Sequence, residues 1–115
     1  MKDIQKGEKF ADTIGRTAWP IELHSSEDAY TWDAFEEEHI HYIPLSCMLS
    51  AEADNYVAAG RCIDADIFAL ASVRVMGPCS ATGTAAALAL SLAGKDSVHS
   101  IDIRELQALL KDNLT

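Results

Sequence analysis

From Val75 to Gly94 the chain runs for twenty residues without a charge, and most of those residues are small: V-M-G-P-C-S-A-T-G-T-A-A-A-L-A-L-S-L-A-G. The length is what a bilayer crossing demands. However, Gly77, Pro78, Gly83 and the Ser, Thr and Ala content insert poorly beside Leu, Ile and Phe, so a buried soluble helix is the better expectation. Gly77-Pro78 is a good helix start, because glycine is tolerated at the cap and proline is preorganised at the first helical position. Gly94 is a good stop. A helix over Pro78–Ala93 puts Ala81, Ala85, Leu88, Ala89 and Leu92 on one face and Ser80, Thr84, Ala87 and Ser91 on another. Small residues on both faces predict close packing on two sides.

A helix of that kind needs a body to pack on. The 115 residues suffice for one small domain, and 49% hydrophobic against 23% charged content argues against disorder. Much of the apolar content is alanine, and only eight residues are aromatic, so the core is expected to be shallow. Such a chain is expected to need a partner over its apolar surface, either a second copy of itself or the rest of a larger protein.

Eighteen acidic residues oppose nine basic ones, for a formal net charge of −9. That balance repels a phosphate backbone and an anionic bilayer, which argues against nucleic-acid and membrane partners. Three widely spaced cysteines, Cys47, Cys62 and Cys79, suit a reducing compartment, and a cytoplasmic location is expected. No C-x-x-C occurs, and the four histidines lack zinc-finger spacing, so no metal is expected. His39 and His41, two apart, fall on one side of any strand through them, most simply an ordinary half-exposed strand face.

Read in order, residues 1–10 make a polar, flexible leader and residues 11–115 a single domain. Trp19, Ile21 and Leu23 alternate with Pro20, Glu22 and His24, the pattern of a half-buried strand, and Pro20 confines it to an edge. Ser25–Glu38 is the most acidic part. It reads as an excursion with a helical turn, capped by Ser25 or Ser26, with Tyr30, Trp32 and Phe35 packed on the body. His39–Ile43 is a second strand candidate, ended by Pro44, and Tyr56–Ala59 a third, apolar on both faces as a buried strand is. Asp64 or Asp66 can cap a turn of helix carrying Ile67, Leu70 and Ala71. Asp102-Ile-Arg-Glu105 has the form of a capping box, with Ile101 and Leu106 as its staple. Ile103, Leu106, Leu109 and Leu110 then form the apolar stripe of an amphipathic helix. The fold class expected is α+β: a small sheet of short strands, a buried small-residue helix and a C-terminal amphipathic helix.

Chemistry is best placed at the start of the small-residue helix. Unpaired N–H groups and a partial positive charge there suit a phosphate or an electron-rich carbonyl. Arg61 and Arg74 bracket the preceding passage and can add charge-assisted hydrogen bonds, while Gly60, Gly77 and Gly83 remove side chains where a ligand could approach. The same strand–glycine–loop–helix pattern equally describes plain close packing.

Two segments, V-A-A-G-R-C-I (57–63) and S-V-R-V-M-G-P-C-S-A-T-G-T-A-A-A-L-A (72–89), together resemble the C-terminal signature of FAD-dependent oxidoreductases. These belong to the glutathione-reductase/fumarate-reductase-like superfamily and are of the pyridine nucleotide-disulfide oxidoreductase type. I-G-R-T-A-W-P-I-E-L-H, Y-I-P-L-S-C-M-L and I-D-I-R-E-L-Q-A-L-L resemble its flanking segments in the same order, so the likeness runs from about Ala11 to Leu110. It implies the C-terminal part of a larger α/β FAD-binding fold, the flavin-capping and substrate-side portion, inactive alone. Gly60 and Arg61 would lie by the ribityl or pyrophosphate portion of FAD. Arg74, Val75, Met76 and Gly77 would approach the flavin, with Cys79 at the helix start and Gly83 in the signature. No G-x-G-x-x-G occurs in the 115 residues, so the main dinucleotide grip is absent and FAD is expected only in the complete protein. Ala87 stands where the family often has a second glycine, and Asp64 and Asp66 stand where hydroxyl residues are common. The resemblance therefore implies an N-terminal FAD-binding half elsewhere, in a truncated chain, a split gene product or a relic without cofactor. The alternative class is a non-catalytic module that self-associates or binds a partner. No catalytic residue is assigned; His24 is the best polar candidate near a substrate, although a lone histidine ending a strand is more often structural.

Overall fold

The computed structural model describes residues 1–24 and 29–115. Among them, five α-helices pack with two antiparallel β-ribbons of two strands each, an α+β arrangement. The expected cap at Ser25 or Ser26 lies outside the described residues.

The first element is α1 (Lys2–Lys6), where a polar leader was expected. It buries Ile4 and ends on Gly7 in the left-handed conformation, φ 63°. A Cβ at Gly7 would also lie 2.7 Å from the Ile40 carbonyl oxygen, so both conformation and space call for glycine there.

β1 (Thr13–Thr17) pairs with β4 (His41–Pro44), Arg16 opposite Tyr42 and Thr17 opposite His41. The register slips between Thr13 and Gly15, leaving Ile14 as the extra residue of a bulge. The Ile14 side chain is fully buried. β2 (Ile21–His24) pairs with β3 (Tyr30–Asp33), Glu22 opposite Trp32 and His24 opposite Tyr30. The edge strand after Pro20 is present. The helical turn expected between Ser25 and Glu38 is not found at Tyr30–Asp33, which is extended and exposed. The alternation of Tyr30 and Trp32 with Thr31 and Asp33 is a strand pattern, and pairing with β2 satisfies it. The strand expected at Tyr56–Ala59 reduces to one bridge, Val57 with Leu49, and Tyr56 is exposed. Gly60–Cys62 already turns as a single 3-10 turn, which ends any extension.

α2 (Ile67–Val73) starts on Asp66, whose carboxylate accepts from the Phe68 and Ala69 amides at 3.0 and 2.9 Å. α3 (Met76–Ala93) begins one residue before Gly77, with Val75 as its cap, and ends at Gly94. Its inner face, Pro78, Thr82, Ala85, Ala89 and Ala93, is buried. Small side chains there let the backbone of β1 come close: a Cβ on Gly15 would stand 3.4 Å from that of Ala81. The opposite face, Ser80, Gly83, Thr84, Ala87 and Ser91, is exposed, so the helix packs on one side within this chain and not on two. No single helix among the described residues is long and apolar enough to cross a membrane; α2 and α3 meet such a test only as a pair, bent by 91°.

α4 (Ile103–Leu109) is capped by Asp102, which accepts from the Arg104 amide at 2.8 Å. Leu106 and Leu110 are buried, whereas Leu109, expected in the same stripe, is exposed. α5 (Lys111–Leu114) follows directly. The Gln107 amide donates to the Ala11 and Thr13 carbonyls, and the Asn113 amide to those of Ile14 and Ala81. The C-terminal helices thus clamp β1 against α3. The core between them gathers Ile14, Ile43, Leu45, Met48, Val73, Ala85, Ala89, Val98, Leu106 and Leu110.

Candidate functional site

Where α2 hands over to α3, the chain turns through Arg74 and Val75, with a 91° bend between the two helices. The bend opens a cleft of about 570 Å³, lined by Thr17, Trp19, Arg74, Val75, Met76, Gly77 and Pro78. Four of the residues expected at a cofactor, Arg74, Val75, Met76 and Gly77, are therefore brought together on one wall. Met76 is 91% exposed, and a Cβ on Gly77 would meet nothing within 4 Å. The first helical bond of this turn runs from the Cys79 amide to the Val75 carbonyl at 3.0 Å, so the Met76 and Gly77 amides precede it, and Pro78 carries no N–H. An eighteen-residue helix directs its positive end here.

The other expected residues are arranged differently. Gly60 sits in a left-handed turn, φ 61°, and donates its N–H to Thr82 Oγ1 at 2.9 Å. A Cβ there would lie 3.4 Å from Cys79 Sγ. Gly60 thus serves the close approach of its turn to α3. The Cys79 thiol donates to the Arg74 carbonyl at 3.1 Å, which ties off the bend from inside. Arg61 is exposed on the 3-10 turn, and Gly83 lies on the open face of α3. Neither lines the cleft.

Sequence reading missed the device that fixes the opposite wall. Arg74 Nη2 donates to the Glu22 carbonyl at 3.0 Å, joining the end of α2 to β2. The Ser72 hydroxyl donates to the Trp19 carbonyl at 2.6 Å, and His41 Nε2 lies 2.8 Å from the same hydroxyl. Since the hydroxyl hydrogen is committed to the Trp19 carbonyl, His41 Nε2 carries a hydrogen and donates. His41 therefore carries a hydrogen on Nε2, and its Nδ1 is buried with no hydrogen-bond partner among the described residues. A histidine expected on a half-exposed face is 0% exposed. Burial, with a smaller push from the neighbouring His39, lowers its pKa to about 4. The chain His41–Ser72–Trp19 anchors the cleft's Trp19 rim to the body. Ser72 and His41 are 31 residues apart, so no local pattern announces the pair. The His39 ring nitrogen Nε2 meets the Ile4 carbonyl instead, at 2.9 Å. The expected pair is thus split between two structural tasks.

A second cavity, about 330 Å³, lies between α1 and the start of α2, lined by Ile4, Phe10, Cys47, Asp64 and Asp66 among others. Burial and the carboxylates of Asp64, Asp12 and Asp3 push the Cys47 thiol up, which keeps it protonated. An acidic lining repels phosphate, and none of the expected cofactor residues is there. His24 ends β2 exposed, 3.4 Å from Glu22 through Nε2, outside the cleft lining. Among the described residues no cluster of three or more His, Cys, Asp or Glu forms a metal site.

Does the Arg74 cleft fit a flavin? The chemistry of its donors is compatible: one guanidinium, two amides at a helix N-terminus, and open space over Gly77. A family model described as FAD dependent oxidoreductase matches residues 1–110 of this chain. No curated protein and no solved structure matches it.

Proposed function

The chain belongs to the FAD dependent oxidoreductase family, and on that premise we propose that it forms the flavin-capping and substrate-side portion of such an enzyme, inactive alone. The observation that carries this reading is the cleft at the α2–α3 bend, where Arg74, Val75, Met76 and Gly77 share one wall. FAD, when bound, supplies a two-electron acceptor and donor. This chain's own part is to hold it. Arg74 adds a fixed positive charge, and the Met76 and Gly77 amides with the α3 dipole favour negative charge on the reduced ring. Trp19 and Thr17 also line the cleft, and on this reading they stand on the substrate side. The pyrophosphate grip belongs to a separate dinucleotide-binding unit with its Gly-rich turn, which covers the exposed face of α3. In the cytoplasm, that unit or a second copy of the chain is the natural partner.

The test is reconstitution. The chain, mixed with a dinucleotide-binding half from the same family and FAD, is expected to co-purify with flavin absorbance, and to stay colourless with FAD alone. Arg74→Ala is expected to weaken flavin retention about tenfold or more, the worth of a charge-assisted hydrogen bond. Flavin held equally well without Arg74 defeats the assignment of the cleft. The second reading, a non-catalytic module, draws on the exposed small-residue face of α3. A stable colourless oligomer, indifferent to FAD and to the added half, would establish it.

A further inference from the structure

Both tryptophans of the chain lie in one row of rings, Trp32 on the β2–β3 hairpin and Trp19 just before β2. Trp19 meets Trp32 edge-on at 6.1 Å between centroids, Trp32 meets Tyr30 at 6.3 Å, and Tyr30 meets His24 at 5.0 Å. The row is open to solvent: Trp19 is 40%, Trp32 48% and Tyr30 53% exposed. Burying these rings would stabilise the fold, so exposing three together is a cost that folding alone does not explain. One carboxylate organises the row. Glu22 stands opposite Trp32, accepts from Trp19 Nε1 at 3.2 Å through one oxygen, and lies 3.4 Å from His24 Nε2 through the other. Its partners are an indole and an imidazole, and the described hairpin residues, I-E-L-H and Y-T-W-D, include no lysine or arginine.

We propose that this row is a binding site for a small organic ammonium ion, held over the faces of Trp32 and Tyr30 beside the Glu22 carboxylate. Charge complementarity selects the ligand. Ring faces are negative at their centres, tryptophan most of all, and a quaternary or tertiary ammonium matches them while shedding little water. An anion would meet Glu22 and Asp33, on a chain whose net charge is −9. Arg74 donates to the Glu22 backbone carbonyl and leaves the Glu22 carboxylate to Trp19 and His24. Trp19, at one end of the row, also lines the cleft, whereas Glu22, Tyr30 and Trp32, which hold the ligand, lie outside that lining, so the site holds whether or not the cleft takes FAD.

Both tryptophans stand in the row, so intrinsic tryptophan fluorescence reports on this site; Trp19 also lines the cleft, and the Glu22→Gln and Tyr30→Leu variants tie the signal to the row. Titration of the folded chain with choline is expected to give a saturable change. The uncharged isostere 3,3-dimethyl-1-butanol, of the same shape, is expected to bind at least about fivefold more weakly. Glu22→Gln keeps an acceptor for Trp19 and removes the charge; Tyr30→Leu removes one ring and keeps both reporters. Each is expected to weaken choline binding about three- to fivefold with an unchanged thermal midpoint. No saturable change, equal binding of the neutral isostere, or unaltered choline affinity in Glu22→Gln overturns the proposal. Should Tyr30→Leu lower the melting midpoint, the Glu22→Gln and isostere comparisons still decide.

Discussion

Replacing His41 by phenylalanine should flatten the acid limb of this protein's stability. His41 is fully buried, and its Nδ1 has no hydrogen-bond partner among the described residues. Protonation would create a buried cationic N–H with no acceptor, next to His39, which is why the pKa falls from 6.5 to about 4. The sign follows from linkage. A histidine with a depressed folded pKa binds its proton more readily in the unfolded chain, so its neutral form contributes fully above pH 6.5. That contribution is lost as pH falls towards 4. Each pH unit is worth about 1.4 kcal/mol, so the loss amounts to about 1 kcal/mol at pH 6, about 2 at pH 5 and about 3 at pH 4. Carboxylates also titrate near the lower end, and a difference measurement removes them. Urea unfolding of wild type and His41→Phe at pH 7.5, 6 and 5 should show the gap between the two shifting by about 2 kcal/mol in favour of the variant. Phenylalanine keeps a ring against Phe35 and leaves the Ser72 hydroxyl on the Trp19 carbonyl, although it loses the hydrogen bond to Ser72 at every pH. A gap that stays constant across this range would refute the buried, uncharged ring.

Two further substitutions probe joints of the fold. Gly7→Ala combines a left-handed φ with a Cβ forced to 2.7 Å from a backbone carbonyl, and should cost well over about 1 kcal/mol, read as a lowered thermal midpoint; an alanine variant that melts like wild type would show that α1 does not dock as described. Thr82→Val keeps the shape but strands the Gly60 amide, for about 1–3 kcal/mol, and should speed hydrogen exchange at Gly60 more than at Leu106. Equal acceleration at both amides would mean global loosening and no local joint.

What the sequence disclosed follows the range of the interactions. Asp66 and Asp102 were recognisable as caps because a cap is settled within three residues, and Pro20 marked an edge because its missing donor is its own property. The Tyr56–Ala59 segment misled because it has strand composition, yet a strand exists only where a neighbour runs alongside, and Leu49 offers a single bridge. Leu109 misled through a regular stripe that α4 leaves unused at that position. In the cleft lining, Arg74 to Gly77 were legible only as a contiguous run before a helix. Trp19, Thr17, Ser72 and Thr82 were not, because each acquires its role from a segment far along the chain: Ser72 from Trp19, 53 residues back, and Thr82 from Gly60, 22 back. The exposure of α3's outer face was hidden for a different reason. Alanine, serine and glycine are compatible with either a covered or an open surface.

Gln107 and Asn113 reach three carbonyls of the 11–14 segment across separations of 94 to 99 residues. On a ribosome the acceptors of this clamp emerge well before its donors. β4 can pair with β1 some thirty residues after it, but the carbonyls of the 11–14 segment wait more than ninety residues before these amides arrive. Closing so long a loop costs entropy that only the finished packing of Leu106 and Leu110 returns. Until then the ribbon presents unsatisfied acceptors, the kind of surface that invites a chaperone or a neighbouring chain.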